Sequence, residues 1–312
     1  MTEHPHDRIL NALEISAEPF AICALEGACS MGLGRTPRAT LHYVLGGRGV
    51  LSVQGGAPLD LAPGRLVLVP ASRTHSLAHR GGGQAGLPAC HPAGLDLETH
   101  VARGEGAGVM VVLCSTISVG LRGTHGLIDL LRAPLDLDVT ASPVAAQAMA
   151  ALVAEMGSVR PGQRAMVRAL LLQCLIEMLR ARLEAGDPGV TWLAALADPG
   201  LWRSLRAMLD DPGSPHTLDS LAAAAGMSRS RFAARFRAAY GQGAMTLLRD
   251  LRLARAAQML TERRAPVEQV ARAVGFQSRS AFTRAFVAMW GETPRAFRGR
   301  PGHAAERAQK LA

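Results

Sequence analysis

Five side chains in the first half of the chain could bind a metal or exchange electrons. They are Cys23, His42, His75, His79 and Cys114, and all lie on or beside runs of residues that are expected to be strands. Four of the five, brought together by a barrel, would suit tetrahedral zinc, because thiolates and imidazoles are its usual ligands. Zinc is therefore the one cofactor that the residue types suggest.

The same residues allow two other interpretations. Cys23 and Cys114 could form a thiol pair that oxidises to a disulfide and alters the domain around it. Alternatively, the thiols could be packed as small hydrophobic groups and the histidines exposed, with a small effector in the barrel or no ligand. Five cysteines without a C-x-x-C pair argue against a secreted disulfide framework. The sequence leaves these alternatives open.

Arginine is the other residue type whose placement suggests chemistry. Residues 201–300 contain 17 Arg against 7 acidic residues, a net charge of +10, whereas the whole chain of 312 residues carries +9. The basic charge is therefore concentrated in one segment. Such a concentration is typical of a domain that binds a polyanion such as DNA.

The basic segment contains two similar helix-turn-helix patterns. In the first, a short helix from Leu218 ends at Gly226, Ser228 caps the next helix, and Phe232 and Phe236 bury its inner face. The pattern recurs about 50 residues later, where Gly275, Ser278, Phe282 and Phe286 take the corresponding places. A helix from Ala244 to Thr261 separates the two patterns. Two recognition helices on one rigid connection could enter successive major-groove segments.

The elements that carry these residues differ along the chain. Short apolar runs with Gly and Pro between them predict a β sandwich or small barrel over residues 1–140. The segment Gly81–Gly108 is predicted to be a long irregular loop in which Cys90, His91 and His100 are surface residues. Helical periodicity predicts helices over Pro143–Met156 and Gln163–Glu184, which could pack on the β domain or on a second copy.

The C-terminal segment, over about residues 200–298, resembles the AraC/XylS family of regulators. The most specific part is the second pattern, with Val270-Ala271, Gly275-Phe276, Ser278, Phe282, Arg284, Phe286, Gly291 and Pro294-Arg295. The resemblance implies double-stranded promoter DNA and RNA polymerase as partners, and activation as the commoner mode. The residues expected to contact DNA are Arg229, Ser230, Ala233, Ala234, Arg237, Gln277, Arg279, Ser280, Thr283 and Arg284. In the first recognition helix, alanines occupy two positions that are expected to contact bases, which favours recognition of thymine methyls or DNA shape there.

The N-terminal segment resembles the cupin sensor domains that are fused to AraC-type domains. Pro63-Gly64 through Pro70 and His75 matches the second cupin motif, and His42–Gly49 looks like the end of the first. The paired histidines and glutamate of that first motif are absent, which disfavours the alternative of a metal-dependent cupin enzyme with an accessory helical domain. One branch of these sensors resembles hypochlorite-responsive activators with cysteines near residues 23 and 114.

Together, these patterns predict an α+β protein that regulates transcription. We expect a cupin-like β-barrel or sandwich sensor at 1–140, a helical linker or dimerisation region at 141–197, an all-α domain with two helix-turn-helix units at 198–299 and a flexible tail at 300–312. A polar N-terminus and the lack of a long apolar run predict a cytoplasmic protein without a membrane span. A homodimer and a small-molecule effector are further expected partners.

Overall fold

The computed structural model describes residues 10–11, 13–33, 36, 38–71, 73–80, 98–121, 133–157, 160–187, 190, 195, 198–262 and 265–298. The chain divides into two compact units, Met1–Ala194 and Ala195–Ala312. The tail at 300–312 and the loop residues Cys90 and His91 lie outside the described residues. No helix in the described ranges is long and apolar enough to cross a membrane.

The first unit contains one β sheet followed by a helical hairpin. Its described strands are β1 (Leu13–Leu33), β2 (Ala39–Gly46), β3 (Gly49–Val53), β4 (Leu59–Leu61), β5 (Arg65–Val69), β6 (His75–Arg80), β7 (Glu98–Arg103), β8 (Glu105–Leu121) and β9 (Leu135–Asp138). They are ordered β4-β3-β6-β1-β8-β2-β5-β9, and β7 pairs with β1. The long strand β1 pairs with β8 along most of its length and with β6 at its end.

The sheet curls so that one face becomes an interior. Leu61 near one edge of the sheet and Val67 near the other belong to the same buried cluster as Leu25 of the central strand. Side chains from distant strands can meet in this way only if the sheet bends around them. The predicted cupin-like fold is therefore confirmed as a curled half-barrel.

The predicted loop over Gly81–Gly108 is wrong in its second half. Residues Glu98–Arg103 form β7, which runs parallel to β1, and β8 begins at Glu105. The strand is short, and Val101 on it is 42% exposed, so its sequence lacks the apolar content of a buried strand. The strand forms because pairing with the long strand β1 supplies its backbone hydrogen bonds. This tertiary pairing leaves no signal in the local sequence.

Two helices close the first unit over the spans that periodicity predicts. They are α1 (Pro143–Met156) and α2 (Gln163–Glu184), and the Ser142 hydroxyl caps α1 by accepting from Ala145 N–H. Near the end of α2, Arg182 donates to the backbone carbonyl and the carboxylate of Asp136 on β9. The hairpin is thereby fastened to the sheet.

The second unit is helical throughout its described residues. Its helices are α3 (Pro199–Asp210), α4 (Leu218–Ala225), α5 (Arg229–Tyr240), α6 (Ala244–Glu262), α7 (Val267–Ala273), α8 (Arg279–Trp290) and α9 (Pro294–Arg298). Helix α6 packs against α5 of the first helix-turn-helix unit and against α7 and α8 of the second. The second unit of the chain therefore has the predicted architecture.

Both recognition helices are held by the same aromatic arrangement. Phe232 and Phe236 on α5 are fully buried with ring centroids 5.4 Å apart, and Phe282 and Phe286 on α8 are fully buried at 5.5 Å. Spacing of four residues puts each pair on one face of its helix. The opposite face of each helix is therefore left toward solvent.

Candidate functional site

The first candidate site is a pair of buried thiols inside the curled sheet. Cys23 on β1 pairs in register with Val112, and Cys114 on β8 pairs with Ala21, so the two cysteines are diagonal neighbours on one face. Their Sγ atoms lie 3.1 Å apart, and the residues are only 1% and 8% exposed. The two sulfurs are therefore in contact, as the redox hypothesis requires.

Two buried histidines continue from the thiols. His42 lies opposite Cys114 in the pairing of β2 with β8, and its Nδ1 is 3.2 Å from Cys114 Sγ. Its Nε2 is 2.9 Å from Nε2 of His75, and the hydroxyl of Thr40 lies within 3.3 Å of both of these nitrogens. The structure thus brings four of the five predicted side chains into one continuous chain of contacts.

His79, the fifth predicted side chain, lies elsewhere. It is buried like His75, but its Nδ1 donates a hydrogen bond of 2.9 Å to the backbone carbonyl of Gly27. A hydrogen bond to a carbonyl fixes the proton on Nδ1. His79 therefore has a structural contact of its own and takes no part in the chain of contacts from the thiols.

Burial keeps both histidines of the chain neutral near pH 7. It lowers the pKa of His42 from 6.5 to about 3, with a smaller contribution from His75 nearby. Burial also lowers the pKa of His75, although the hydrogen bond to the Arg73 carbonyl partly opposes this effect. A neutral imidazole has one donor and one acceptor nitrogen, so each ring can accept one further proton.

The contact between the two thiols shifts the pKa of each one. The hydrogen bond from Cys114 lowers the pKa of Cys23, and the same contact, together with burial, raises the pKa of Cys114 well above its usual range. The pair therefore loses its first proton more readily than an isolated cysteine, because the remaining S–H stabilises the thiolate. The second proton is lost less readily.

The geometry does not bring the predicted zinc ligands around one point. The two nitrogens of the His42 ring point in opposite directions, Nδ1 toward the thiols and Nε2 toward His75, so His75 and the cysteines approach different atoms. Within the described ranges, no group of three or more His, Cys, Asp or Glu side chains could hold a metal ion. None of these residues is therefore assigned as a metal ligand, and zinc binding stays a prediction.

One neighbour of the thiols was placed wrongly by the sequence. His100, predicted in a loop, lies on β7 directly beside Cys23 in the parallel pairing of β7 with β1. His100 is half-buried and lies between the exposed Thr99 and Val101. This alternation in burial does not appear in the residue types, because the polar His100 is half-buried and the apolar Val101 is exposed, so the sequence carried no signal for β7.

The second candidate site is the outer face of α5. Arg229, Ser230, Ala234 and Arg237 are exposed and Ala233 is half-buried, as expected for a face left free by the phenylalanines. Arg229 forms an exposed ion pair of 3.3 Å with Asp219. Exposed pairs of this kind contribute little to stability, so Arg229 can exchange Asp219 for a phosphate.

The outer face of α8 offers more hydrogen-bonding groups. Gln277, Arg279, Ser280 and Arg284 are exposed and Thr283 is half-buried. Within the described part of the chain, Arg279 and Arg284 make no ion pair. A free, exposed guanidinium near the N-terminal half of a helix can donate two hydrogen bonds to guanine in the major groove.

Comparisons with known proteins agree with both halves of this description. A cupin family matches residues 6–184, and a helix-turn-helix domain family matches residues 221–300. An AraC-like transcription regulator of Streptomyces lividans is 32% identical over 256 residues, covering 78% of this chain and 81% of its own length. The RCS-specific HTH-type transcriptional activator RclR of Escherichia coli (strain K12) is 27% identical, covering 94% and 95%.

Solved structures of similar fold extend over nearly the whole chain. Unsaturated fatty acid-bound ToxT of Vibrio cholerae covers 91% of this chain and 95% of its own, with a TM-score of 0.50 and 12% sequence identity. At that identity the similarity concerns the fold alone. It supports the order of a curled β unit followed by a helical unit.

Proposed function

Because the chain belongs to the AraC family of transcription regulators and carries a cupin domain before its helix-turn-helix domain, we propose that an oxidant controls its binding to promoter DNA through Cys23 and Cys114. The matched relatives are named as transcription regulators, so the chain is a regulator and not a cupin enzyme. The observation that carries the proposal is the contact of 3.1 Å between two buried thiols in the cupin domain.

The oxidant would act by joining β1 to β8. Diagonal neighbours on antiparallel strands have Cα atoms about 7–8 Å apart, whereas disulfides usually join Cα atoms about 4.4–6.8 Å apart. Forming the bond would therefore pull the two strands together. Since β8 also pairs with β2, and β2 with β5, a shift of β8 would reach the edge of the sheet that Arg182 fastens to α2.

The DNA-binding half of the proposal rests on charge and exposure. The described arginines on the outer faces of α5 and α8 would neutralise phosphates and set the position on the duplex. Side chains of α8, above all Arg284, would read base edges. Affinity for DNA should consequently fall steeply as the salt concentration rises.

Four further properties belong to the same proposal. The Escherichia coli relative is named an activator, which supports activation, and activation implies contact with RNA polymerase. A homodimer would double the contact with DNA, and the exposed Met166 on α2 offers apolar surface for it. We place the regulator in the cytoplasm, where its thiols are kept reduced until an oxidant arrives. A small effector inside the half-barrel is the alternative signal.

The experiment uses full-length protein and an operator selected by that protein from random duplexes. Affinity is measured for reduced protein and for protein treated with hypochlorous acid, and the Cys23–Cys114 disulfide is identified by mass spectrometry without reduction. We expect oxidation to change the affinity severalfold, and we expect Cys23→Ser and Cys114→Ser to abolish the change. Cys174→Ser, at a cysteine equally buried in α2, is the matched control and should respond like the wild type.

Two outcomes would contradict the proposal. One is an affinity that does not differ between reduced and oxidised wild-type protein. The other is a normal response in the Cys23→Ser variant, which would favour a small effector. Metal analysis of the same reduced and oxidised samples tests zinc binding, because a zinc site built on these thiols would release its ion on oxidation.

A further inference from the structure

The two helix-turn-helix units touch each other at a second point besides their shared packing on α6. The loop of residues 211–216, which leads into α4 of the first helix-turn-helix unit, lies against the end of α7 and the turn of the second. A Cβ at Gly213 in this loop would lie 2.2 Å from the carbonyl oxygen of Ala273, and a Cβ at Gly275 would lie 2.6 Å from the carbonyl oxygen of Gly213. Glycines at these positions allow the backbones to approach this closely.

Arg252 of α6 holds this loop in place. Its Nε donates to the carbonyl oxygen of Pro212 over 2.7 Å, and its Nη2 donates to the carbonyl oxygen of Ser214 over 2.8 Å. A guanidinium that donates two hydrogen bonds from its planar fork fixes orientation as well as distance. The same guanidinium is the group that a Cβ at Gly275 would meet at 2.9 Å. Arg252 therefore lies where the loop, α6 and the second turn converge.

A hydrogen-bonded turn orients these two carbonyl groups. The carboxylate of Asp211 accepts hydrogen bonds from Gly213 N–H at 3.2 Å and from the Ser214 hydroxyl at 2.9 Å. Directly after the loop, Thr217 caps α4 in a capping box with Ser220. The position of the loop therefore determines where α4 begins, and α4 packs against the recognition helix α5.

We infer that Arg252 sets the angle and the distance between the recognition helices α5 and α8, and thereby the spacing between the two DNA segments that one copy of the chain recognises. The inference rests on the DNA-binding half of the proposed function and does not depend on the oxidant. Arg252 acts through the loop and α4, so it is a positioning residue.

A single helix between the two helix-turn-helix units does not by itself fix their mutual rotation. Apolar packing holds each of them on α6, but apolar contacts are non-directional, and a helix of 19 residues can bend. A second point of contact removes that freedom, because rotation would separate Arg252 from both carbonyl groups. The close approach of Gly213 to Ala273 resists movement in the opposite sense, since the backbones are already in contact.

The geometry of DNA gives this rigidity a consequence. Recognition helices in successive major-groove segments lie about one helical turn apart, which is roughly 34 Å or about 10.5 base pairs. One additional base pair moves the second segment by about 3.4 Å along the DNA axis and by about 34° around it. Two helix-turn-helix units that are held together at two points cannot follow this change without losing base contacts. The protein should therefore discriminate sharply between spacings.

The test uses reduced full-length protein and the operator that this protein selects from random duplexes. Hydroxyl-radical footprinting locates the two segments that one copy of the chain occupies, and one base pair is then inserted or deleted between them. The readout is the spacing ratio, which is the affinity for the selected spacing divided by the affinity for the altered spacing. For the wild type we expect a spacing ratio of about tenfold to a hundredfold, because a misplaced recognition helix loses its base contacts.

Two variants weaken the contact in different ways. Arg252→Met keeps an apolar stem and removes the donors, and we expect its spacing ratio to fall to about threefold or less, because the loss of two hydrogen bonds releases the rotation. The residues Pro212 and Ser214 are only partly buried, so water can replace the guanidinium at their carbonyl groups and the fold should persist. Gly213→Ala keeps every charge, but its methyl group would overlap the carbonyl of Ala273, so it should also lower the spacing ratio. If Arg252→Met does not fold, Gly213→Ala decides.

Arg298→Met is the matched control. Arg298 on α9 is half-buried like Arg252 and donates to the carbonyl oxygen of Ala265 over 3.0 Å, but these two residues flank the second helix-turn-helix unit alone. The control variant loses the same charge and a similar hydrogen bond, so its affinity should fall alike for every spacing and its spacing ratio should stay at the wild-type value. A merely structural role of Arg252 would give that same result in Arg252→Met.

The outcomes distinguish this inference from the proposed function. A wild-type protein without sequence-specific DNA binding would overturn both. Specific binding in which Arg252→Met keeps the wild-type spacing ratio would overturn the positioning role of Arg252 and leave the proposed function intact. An equal fall of the spacing ratio in Arg298→Met would also contradict the inference, and so would a wild type that binds every altered spacing as tightly as the selected one.

Discussion

The two helix-turn-helix units share a framework and differ on the surfaces that would meet DNA. Residues 50 positions apart correspond: Phe232 to Phe282 and Phe236 to Phe286 in the interior, but Ala234 to Arg284 outside. The interior positions are identical because each helix must bury the same apolar stripe. The outer positions are free to diverge, and α8 carries more hydrogen-bonding groups there than α5 does.

The turns between the helices also differ. In the first helix-turn-helix unit, the N-cap Ser228 lies two residues after Gly226. In the second, the N-cap Ser278 lies three residues after Gly275. Both glycines have a positive φ. A Cβ at Gly226 would meet little, but a Cβ at Gly275 would lie 2.6 Å from the carbonyl oxygen of Gly213 and 2.9 Å from the Arg252 guanidinium. The second turn is therefore packed and the first is open.

The largest expected effect is a loss of stability, and it should be the same in both helix-turn-helix units. Phe232→Ala and Phe282→Ala each remove a fully buried ring, and each should lower the free energy of unfolding by about 3–5 kcal/mol. Urea unfolding followed by tryptophan fluorescence reports this, since Trp202 and Trp290 lie in the second compact unit. A loss in one variant that is less than half of the loss in the other would show that the two frameworks are not equivalent.

The turns should respond unequally to the same change. Gly226→Ala costs about 1 kcal/mol, because an alanine must adopt the left-handed conformation. Gly275→Ala costs about 2–4 kcal/mol, because the methyl group also displaces the Gly213 carbonyl. The same fluorescence measurement compares the two variants. Equal losses would mean that the contact with Gly213 relaxes at no cost.

The helix caps give the smallest contrast. Ser278 accepts a hydrogen bond from Ala281 N–H at 3.1 Å, whereas the side chain of Ser228 makes no capping hydrogen bond. Ser278→Ala should therefore cost about 1 kcal/mol, and Ser228→Ala a few tenths at most. A larger loss at Ser228 would show that its hydroxyl caps α5 in solution.

Sequence and structure agree best where local signals suffice. The spans Pro143–Met156 and Gln163–Glu184 and both phenylalanine pairs could be predicted, because helical periodicity and glycine or serine boundaries are local. The strand β7 could not, since its pairing with β1 is a tertiary event. The chain of contacts from Cys23 to His75 depends on strand register, which no spacing in the sequence encodes. Residue types alone therefore suggested the right side chains but grouped His79 with them.

Base preference measured across the selected operator tests the contrast between α5 and α8 most directly. Every base pair is substituted in turn, and affinity is measured for the wild type, Arg284→Ala and Arg237→Ala. We expect Arg284→Ala to lose about 1–3 kcal/mol of binding and to abolish preference at one or two adjacent positions. Arg237→Ala should weaken all sequences alike, because a phosphate contact carries no sequence information. An unchanged preference profile in Arg284→Ala would contradict the assignment of α8 as the helix that reads bases.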